Sequence, residues 1–365
     1  MEKSLRRLGC FAAMVVLSVS CAASVEEEEE RDDSEVEAVS VKKSELRGGV
    51  QVSATVSRSG ALVRSSATVG GIGPTRLAAG RYDVVLSGIP AAGASPGSRG
   101  MAQVVAMGRD ATRCELNGDW SIVGSNITVH VACISATGAL ADSDFNVSYG
   151  RAPTLGRAAY TMISALGVPQ TPSTFAAGPV TAEVHATGLY FVFLPSSLSR
   201  PLSLQVTAMT PSRRCSIDAT EFIWQTIVWV RCRDRFGVDS PSSFVLNVAK
   251  SDSIPLAGVG GYTRVNPDGS TFDTANSCAG DTSVFSRVVG SGKYFVRQGR
   301  LPPFGSFATV VADRSDRYCK LTSLPLSTSP GPAQVNEVAC FTSSGTPADS
   351  GFALSVGSQA FASCL

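Results

Sequence analysis

The stretch CISATGALADSDFNV, residues 133–147, occurs three times in this chain in the same frame. It returns as CRDRFGVDSPSSFVL at 232–246 and as CFTSSGTPADSGFAL at 340–354. In each copy the cysteine is followed by glycine five residues later, by serine ten residues later and by phenylalanine twelve residues later. Self-similarity at a fixed spacing is typical of repeated structural units, so this stretch decides how the chain is divided.

Three further markers precede each copy in a constant order. The G-x-Y motifs lie at 80–82, 188–190 and 292–294, the V-x-A motifs at 104–106, 206–208 and 310–312, and the first cysteines are Cys114, Cys215 and Cys319. The period is near 100 residues, and the first copy carries an insertion that we place in AAGASPGSRG, residues 91–100. The markers predict three domains, at 48–150, 151–253 and 254–365.

Each repeat has the local pattern of β-structure. Short β-branched or aromatic runs such as YDVVL, LSLQVTAM and NITVHVAC are bounded by Gly, Pro and Ser, and no window has helical periodicity. The predicted fold class is therefore all-β, with three tandem antiparallel β-sandwich or small-barrel domains of about 100 residues, each with an internal disulfide.

The ten cysteines predict an oxidising compartment and a set of disulfides. One cysteine, Cys10, is lost with the export signal described below. The predicted pairs are Cys114–Cys133, Cys215–Cys232, Cys319–Cys340 and Cys278–Cys364, the last pair closing the third repeat. Two tryptophans between paired cysteines, Trp120 and Trp224, are expected to pack over the disulfides. The cysteines lack C-x-x-C spacing, so no metal site or cofactor is predicted.

The acidic residue of the repeated stretch changes position between copies. Asp142 and Asp349 precede the conserved serine, whereas Pro241 occupies that position in the second repeat and Asp239 lies two residues earlier. A catalytic carboxylate would keep its place, so we expect a side chain that binds a turn amide. The glycine after the second cysteine is expected in a turn with positive φ.

The N-terminus has the layout of a secretory signal, with Lys3, Arg6 and Arg7 ahead of an apolar run. Its end, LSVSC at 17–21, resembles a bacterial lipobox, and the resemblance implies that Cys21 carries lipid. Residues 1–21 are therefore interpreted as a signal peptide with a lipobox-like end. An ordinary cleavage site at Ala22-Ala23 is the alternative, which would give a plain secreted protein.

Residues 22–47 form an acidic segment between the signal and the repeats. Residues 26–37 contain nine acidic residues and one arginine, a block that repels itself and predicts a disordered tether. The whole chain has a net charge of +1 although this block is strongly acidic, so the repeats are net basic. This charge allows acidic glycans as partners, but it is too diffuse to indicate nucleic-acid binding.

The sequence contains no catalytic motif whose residues suit the chemistry. The sequence GASPG at 93–97 matches a nucleophile elbow on paper, but Pro96 has no amide hydrogen for an oxyanion. An outward strand position, three residues before the second cysteine, holds His130, Trp229 and Glu337 in the three repeats. A solvated strand face that varies between repeats would account for these differences. The alternative hypothesis is an exposed apolar binding surface formed by Ile227 and Trp229.

The repeat, over residues 50–363, is similar to tandem β repeats of roughly 100 residues in bacterial exported proteins. Its G-x-Y strand, V-T-A strand and D-S-x-F ending also resemble the strand rhythm of H-type lectins and phage tail-fibre tips. The second resemblance implies a β-sandwich and glycan binding. It carries over no sugar-binding or catalytic residue, and the internal disulfide departs from the lectin pattern.

These observations predict a non-enzymatic cell-envelope lipoprotein that displays tandem β domains for binding, adhesion or surface structure. The expected partners are the membrane, through the lipid anchor, and acidic glycans or envelope proteins, with no nucleic acid. Two alternatives stay open, namely a lectin-like glycan-binding protein and a plain secreted protein.

Overall fold

Strands are the only regular elements in the part of the chain that the structure describes. The computed structural model describes residues 50–67, 70–89, 100–151, 158–174, 179–195, 202–222, 224–250, 259–276, 282–298, 306–313, 316–323, 326–327 and 334–358. The predicted signal peptide, the predicted tether and Cys21 lie outside these ranges, as do Cys278 and Cys364, so the predictions about them stay predictions.

The described residues of the first repeat form nine strands. They are β1 (Val50–Val56), β2 (Leu62–Ala67), β3 (Ile72–Ala78), β4 (Arg81–Leu86), β5 (Met101–Met107), β6 (Arg113–Leu116), β7 (Ser121–Val123), β8 (Asn126–Ile134) and β9 (Asp144–Arg151). One antiparallel sheet has the order β2-β1-β9-β5, and the other has the order β3-β4-β8-β6, with β7 also paired to β8. Buried side chains from both sheets share one core.

The second repeat is built in the same way, and its described residues form eight strands. They are β10 (Ala158–Ile163), β11 (Pro169–Thr174), β12 (Thr181–Ala186), β13 (Leu189–Leu194), β14 (Leu202–Ala208), β15 (Arg214–Phe222), β16 (Thr226–Arg233) and β17 (Phe244–Lys250). The two sheets have the orders β11-β10-β17-β14 and β12-β13-β16-β15.

The third repeat completes the pattern. Its strands are β18 (Val259–Val265), β19 (Thr271–Asn276), β20 (Thr282–Val288), β21 (Lys293–Gln298), β22 (Ser306–Asp313), β23 (Tyr318–Leu321), β24 (Leu326–Ser327), β25 (Gln334–Phe341) and β26 (Gly351–Ser358). They form the sheets β19-β18-β26-β22 and β20-β21-β25-β23, with β24 beside β25. Each repeat is thus a sandwich of two antiparallel sheets, which confirms the predicted fold class.

The internal disulfide of each repeat joins the two strands of one hairpin. The bonds are Cys114–Cys133, Cys215–Cys232 and Cys319–Cys340. In each pair the two cysteines are direct cross-strand partners, on β6–β8, β15–β16 and β23–β25. The disulfides indicate an oxidising, extracytoplasmic environment.

The three sandwiches contact one another in a cycle: the first contacts the third, the third contacts the second, and the second contacts the first. β5 of the first repeat lies beside β23 of the third through the parallel pair Met107 and Leu321, and β22 of the third lies beside β15 of the second. β14 of the second repeat closes the cycle, because the amide of Gly118, after β6, donates a hydrogen bond of 2.9 Å to the carbonyl of Met209. Each repeat therefore contacts both of the others.

The V-x-A strands β5, β14 and β22, hereafter the central strands, contact one another. Every residue of β5 and β14 is buried, since one face packs in its own sandwich and the other against neighbouring repeats. Polar side chains join the repeats on this second face. Gln205, for example, donates to the carbonyl of Ala353 at 3.3 Å and to the hydroxyl of Ser355 at 3.0 Å.

The turns after the second cysteines also meet from repeat to repeat. Their glycines Gly138, Gly237 and Gly345 have φ of 85°, 87° and 84°, as predicted. A Cβ atom on Gly138 would lie 2.4 Å from Cδ of Arg235, and one on Gly345 would lie 2.5 Å from Cβ of Ala136. Glycine is required here both by the turn and by the adjacent repeat.

Candidate functional site

The acid of the repeated stretch binds a glycine amide in the first repeat. Oδ1 of Asp142 accepts a hydrogen bond of 2.8 Å from the amide of Gly80 and one of 3.0 Å from the hydroxyl of Tyr82. Arg76 donates two more, at 3.0 and 2.8 Å. The bonds from Arg76 and Gly80 hold the pKa of Asp142 well below its usual range. Every strong acceptor position of this carboxylate therefore serves the fold.

The third repeat has the same kind of arrangement, and the second repeat has an ion pair in its place. Asp349 accepts from the amides of Gly290 and Gly292 at 2.9 and 3.0 Å and pairs with Arg287. In the second repeat Asp239 instead pairs with Arg231, at 2.8 Å. The expectation of a structural acid that binds turn amides is confirmed for Asp142 and Asp349.

The tyrosine of G-x-Y connects the two sheets of each sandwich. In the second repeat the hydroxyl of Tyr190 donates to the carbonyl of Ala165, in the β10–β11 turn, at 3.1 Å, and accepts from the amide of Ser242 at 3.1 Å. Its ring packs on Phe244 with a centroid separation of 5.1 Å. The G-x-Y and S-x-F motifs therefore recur together because their side chains touch.

The outward face of each hairpin carries a different cross-strand pair at one position. The pairs are Asp83 with His130, Phe191 with Trp229, and Phe295 with Glu337. Asp83 Oδ1 and His130 Nδ1 are 2.7 Å apart in a hydrogen bond. The same scaffold position thus holds a polar pair, an aromatic pair and a mixed pair. The expected solvated face is wrong for the third repeat, where Glu337 is buried.

The second repeat presents the aromatic pair within a larger apolar surface on β12, β13 and β16. We call this surface the aromatic face, and its members are His185, Phe191, Phe193, Ile227 and Trp229. The rings of His185 and Phe191 stack with centroids 4.2 Å apart, and those of Phe191 and Trp229 lie 4.6 Å apart. Phe193 is the cross-strand partner of Ile227. The face extends the predicted Ile227 and Trp229 surface, and the alternation in YFVFL already indicated the two phenylalanines.

One sequence expectation about the tryptophans is wrong. Trp120 is buried in the core that contains Cys114 and Cys133, but Trp224 is 91% exposed. Trp224 lies in the turn between β15 and β16, and the disulfide of this hairpin is at the opposite end. A strand rises about 3.3 Å per residue, so a ring nine residues from Cys215 cannot cover that bond.

A cavity of about 70 Å³ lies where the three repeats meet, beside the central strands. Charged side chains from all three repeats line it, and we call it the central cavity. These side chains are Arg113, Glu115, Arg214, Arg317 and Lys320. The residues just before the first cysteines, Arg113, Arg214 and Tyr318, converge there, which no periodicity in the sequence indicated.

Burial at the central cavity shifts the pKa values of the charged groups that line it. Burial raises the pKa of Glu115 to about 7, although Arg113 and Arg214 oppose the shift. Burial, together with the positive charges of Arg113 and Arg233, lowers the pKa of Arg214 to about 10. Lys320 is better compensated, because its ammonium lies 2.8 Å from Asp110 and donates to the carbonyl of Thr112.

Comparisons with known proteins give no relative. No protein-family model, no curated protein and no solved structure matches the chain. The described strands and turns include no helix suited to crossing a membrane. Among the same residues, no group of three or more His, Cys, Asp or Glu side chains is placed to hold a metal ion.

Proposed function

We propose that this protein is a non-catalytic cell-envelope lipoprotein that binds an envelope protein through the aromatic face of its second repeat. One observation carries the proposal: three copies of one scaffold present the same outward position, and only the second fills it with an aromatic pair, Phe191 and Trp229. Partly exposed aromatic side chains in a contiguous patch mark surfaces for protein partners.

The N-terminal features supply the attachment in this proposal. Lipid on Cys21 anchors the chain to a membrane, and the acidic tether of residues 22–47 holds the body away from the surface. Without lipidation the same body is secreted, and the aromatic face keeps its role.

A protein partner fits the aromatic face better than a glycan does. Sugar rings bind tryptophan and phenylalanine through the flat faces of the aromatic rings, but Phe191 is flanked by His185 on one side and Trp229 on the other. The rings of Phe191 and Trp229 pack together at 32°, and Ile227 lies two residues from Trp229 on β16, so this surface suits apolar side chains of a protein.

A lectin-like function is the second candidate, and it depends on a different residue. Trp224 is 91% exposed, so its ring is accessible to a sugar. Acidic glycans are the class that the net basic repeats favour. The two candidates therefore predict loss of binding from different substitutions.

Site-directed photo-crosslinking in cells tests the protein-partner proposal. A photoreactive residue at Ile227 is expected to form one discrete adduct with an envelope protein. The matched control position is Thr128, which lies at the same place in the first repeat, five residues before the second cysteine. The double substitution Phe191→Asp with Trp229→His copies the polar pair of the first repeat and should abolish the adduct while preserving the melting temperature. Adducts that are equal at both positions, or that survive the double substitution, contradict the proposal.

A glycan array with the full-length protein, at low and high salt, tests the lectin candidate. Binding that persists in high salt and is lost in Trp224→Ala, but not in the double substitution, would favour a lectin. Binding abolished by salt alone would indicate charge attraction, and no binding would end the lectin hypothesis.

A further inference from the structure

The central cavity contains buried polar atoms without partners, and it lies apart from the aromatic face. Nε of Arg113 donates to Oε1 of Glu115 at 2.8 Å, and both side chains are 6% exposed. Nη1 and Nη2 of Arg113 and Oε2 of Glu115 are buried, and none of them has a hydrogen-bond partner among the described residues. Native proteins rarely leave charged groups in this state, because each carries a desolvation penalty.

A second guanidinium, that of Arg214, lies within electrostatic range of the first. The guanidinium carbons of Arg113 and Arg214 are each 5.9 Å from the centre of the Tyr318 ring, so residues from all three repeats meet at one point. Arg214 donates to the backbone carbonyls of Asp316, at 2.7 Å, and Asp234, at 3.4 Å, neither of which neutralises its charge.

The charges that line the cavity leave an excess of positive charge. Lys320 is paired with Asp110, and Arg317 lies 3.9 Å from Asp316. Glu115 is then the carboxylate that faces both Arg113 and Arg214. With Glu115 ionised, one negative charge therefore remains to be supplied. The lowered pKa of Arg214, caused by burial and by neighbouring arginines, agrees with this excess.

The two nitrogens of Arg113 that lack partners among the described residues, Nη1 and Nη2, indicate which chemical group the cavity accepts. Two parallel N–H donors on one guanidinium match the two oxygens of a carboxylate. The volume of about 70 Å³ exceeds the roughly 10 to 15 Å³ that a single water needs, so a molecule of a few heavy atoms fits.

We propose that the central cavity binds a small monocarboxylate, whose two oxygens accept hydrogen bonds from Nη1 and Nη2 of Arg113 and whose charge balances Arg214. Among the described residues this combination of side chains occurs once, because the repeats differ in sequence around the first cysteine. The position before the first cysteine is Arg113, Arg214 or Tyr318, and the position after it is Glu115, Ser216 or Lys320. Three identical repeats would place three like charges together at this point.

Thermal unfolding and calorimetry of the full-length protein with acetate test the site. Ionic strength is held constant with gluconate, which is too large for the cavity. Between zero and 100 mM acetate we expect the melting temperature to rise by at least about 2 °C, and calorimetry to give one bound acetate per chain. Chloride at the same concentration should give a smaller rise, since it cannot accept from both donors in the same geometry.

Two variants separate the site from general salt effects. Arg113→Lys keeps the charge and loses the paired donors, so acetate affinity should fall about tenfold. The double variant Arg113→Gln with Glu115→Gln removes both charges and should lose the acetate response entirely. The control is Arg76→Gln, which removes a surface arginine of the first repeat and should keep the full response. An equal response in the double variant, an equal effect of chloride, or no acetate response in the unaltered protein would overturn the proposal and leave a cavity that holds water.

Discussion

Oδ1 of Asp142 lies 2.8 Å from the amide nitrogen of Gly80, so the acid of the stretch at 133–147 is bound to the glycine that opens the G-x-Y motif. Sixty-two residues separate the two in sequence. The carboxylate also accepts from Tyr82 and Arg76, which makes it the point where three motifs of the first repeat are connected.

Asp142→Asn should destabilise the protein by about 1 to 2 kcal/mol at pH 7, because Asn loses the charge-assisted bonds to Gly80 and Arg76. The folded pKa of Asp142 is depressed, so its contribution is present above the unfolded pKa of about 4 and is lost as pH falls through the folded pKa. Denaturant unfolding at several pH values checks both parts. The difference from the unaltered protein should shrink below about pH 4, and Glu183→Gln on exposed β12 should show none.

Glu115 should make stability fall as pH rises between about 4.5 and 7. Its folded pKa is raised from 4.5 to about 7, so the folded state holds the proton more tightly than the unfolded chain in that window. The size is on the order of 3 kcal/mol. The charged groups around it are Arg113, Arg213, Arg214 and, across the cavity, Lys320. Glu115→Gln should flatten the pH dependence of unfolding in this range, and an unchanged slope would contradict the assignment.

Arg264→Met should destabilise the protein by about 3 to 5 kcal/mol, because it leaves the carboxylate of Asp313 buried without a counter-charge. Arg264 binds both oxygens of Asp313, at 2.8 and 2.7 Å, and reaches Thr220 of the second repeat at 3.0 Å. Replacing both partners, with Arg264→Met and Asp313→Leu, should recover most of the loss. Chemical denaturation of the two variants measures the difference, and equal losses would show that the charge is not the cause.

Replacing both Cys215 and Cys232 with alanine should cost about 3 kcal/mol, the effect of opening a loop of 17 residues. The cost should appear as a lower denaturant midpoint of the oxidised protein. Treating the unaltered protein with a reductant provides the comparison, and it should lower the midpoint further because it opens the other disulfides as well. A midpoint unaffected by the substitution would mean that the hairpin is held by its cross-strand bonds alone.

Features that depend on neighbours in sequence could be predicted. Strand alternation in NITVHVAC places His130 outward and Val129 and Val131 inward, because side chains on a strand alternate between its faces. Cys215 and Cys232 could be paired because a hairpin of that length brings its two ends together. Trp224 could not be placed, since the position of the turn within the hairpin decides which side chains reach the disulfide.

The sequence by itself determined the repeat, the strand content and the internal disulfides, because turns and hairpins follow from residues within reach of one another. Only the tertiary structure decided that the three sandwiches join in a cycle and bring Arg113, Arg214 and Tyr318 to one cavity. These residues hold the same position in the repeat, about 100 residues apart, but their types differ and a contact between repeats leaves no mark in the sequence. Burial of both faces of the central strands, rather than any local preference, brings them together.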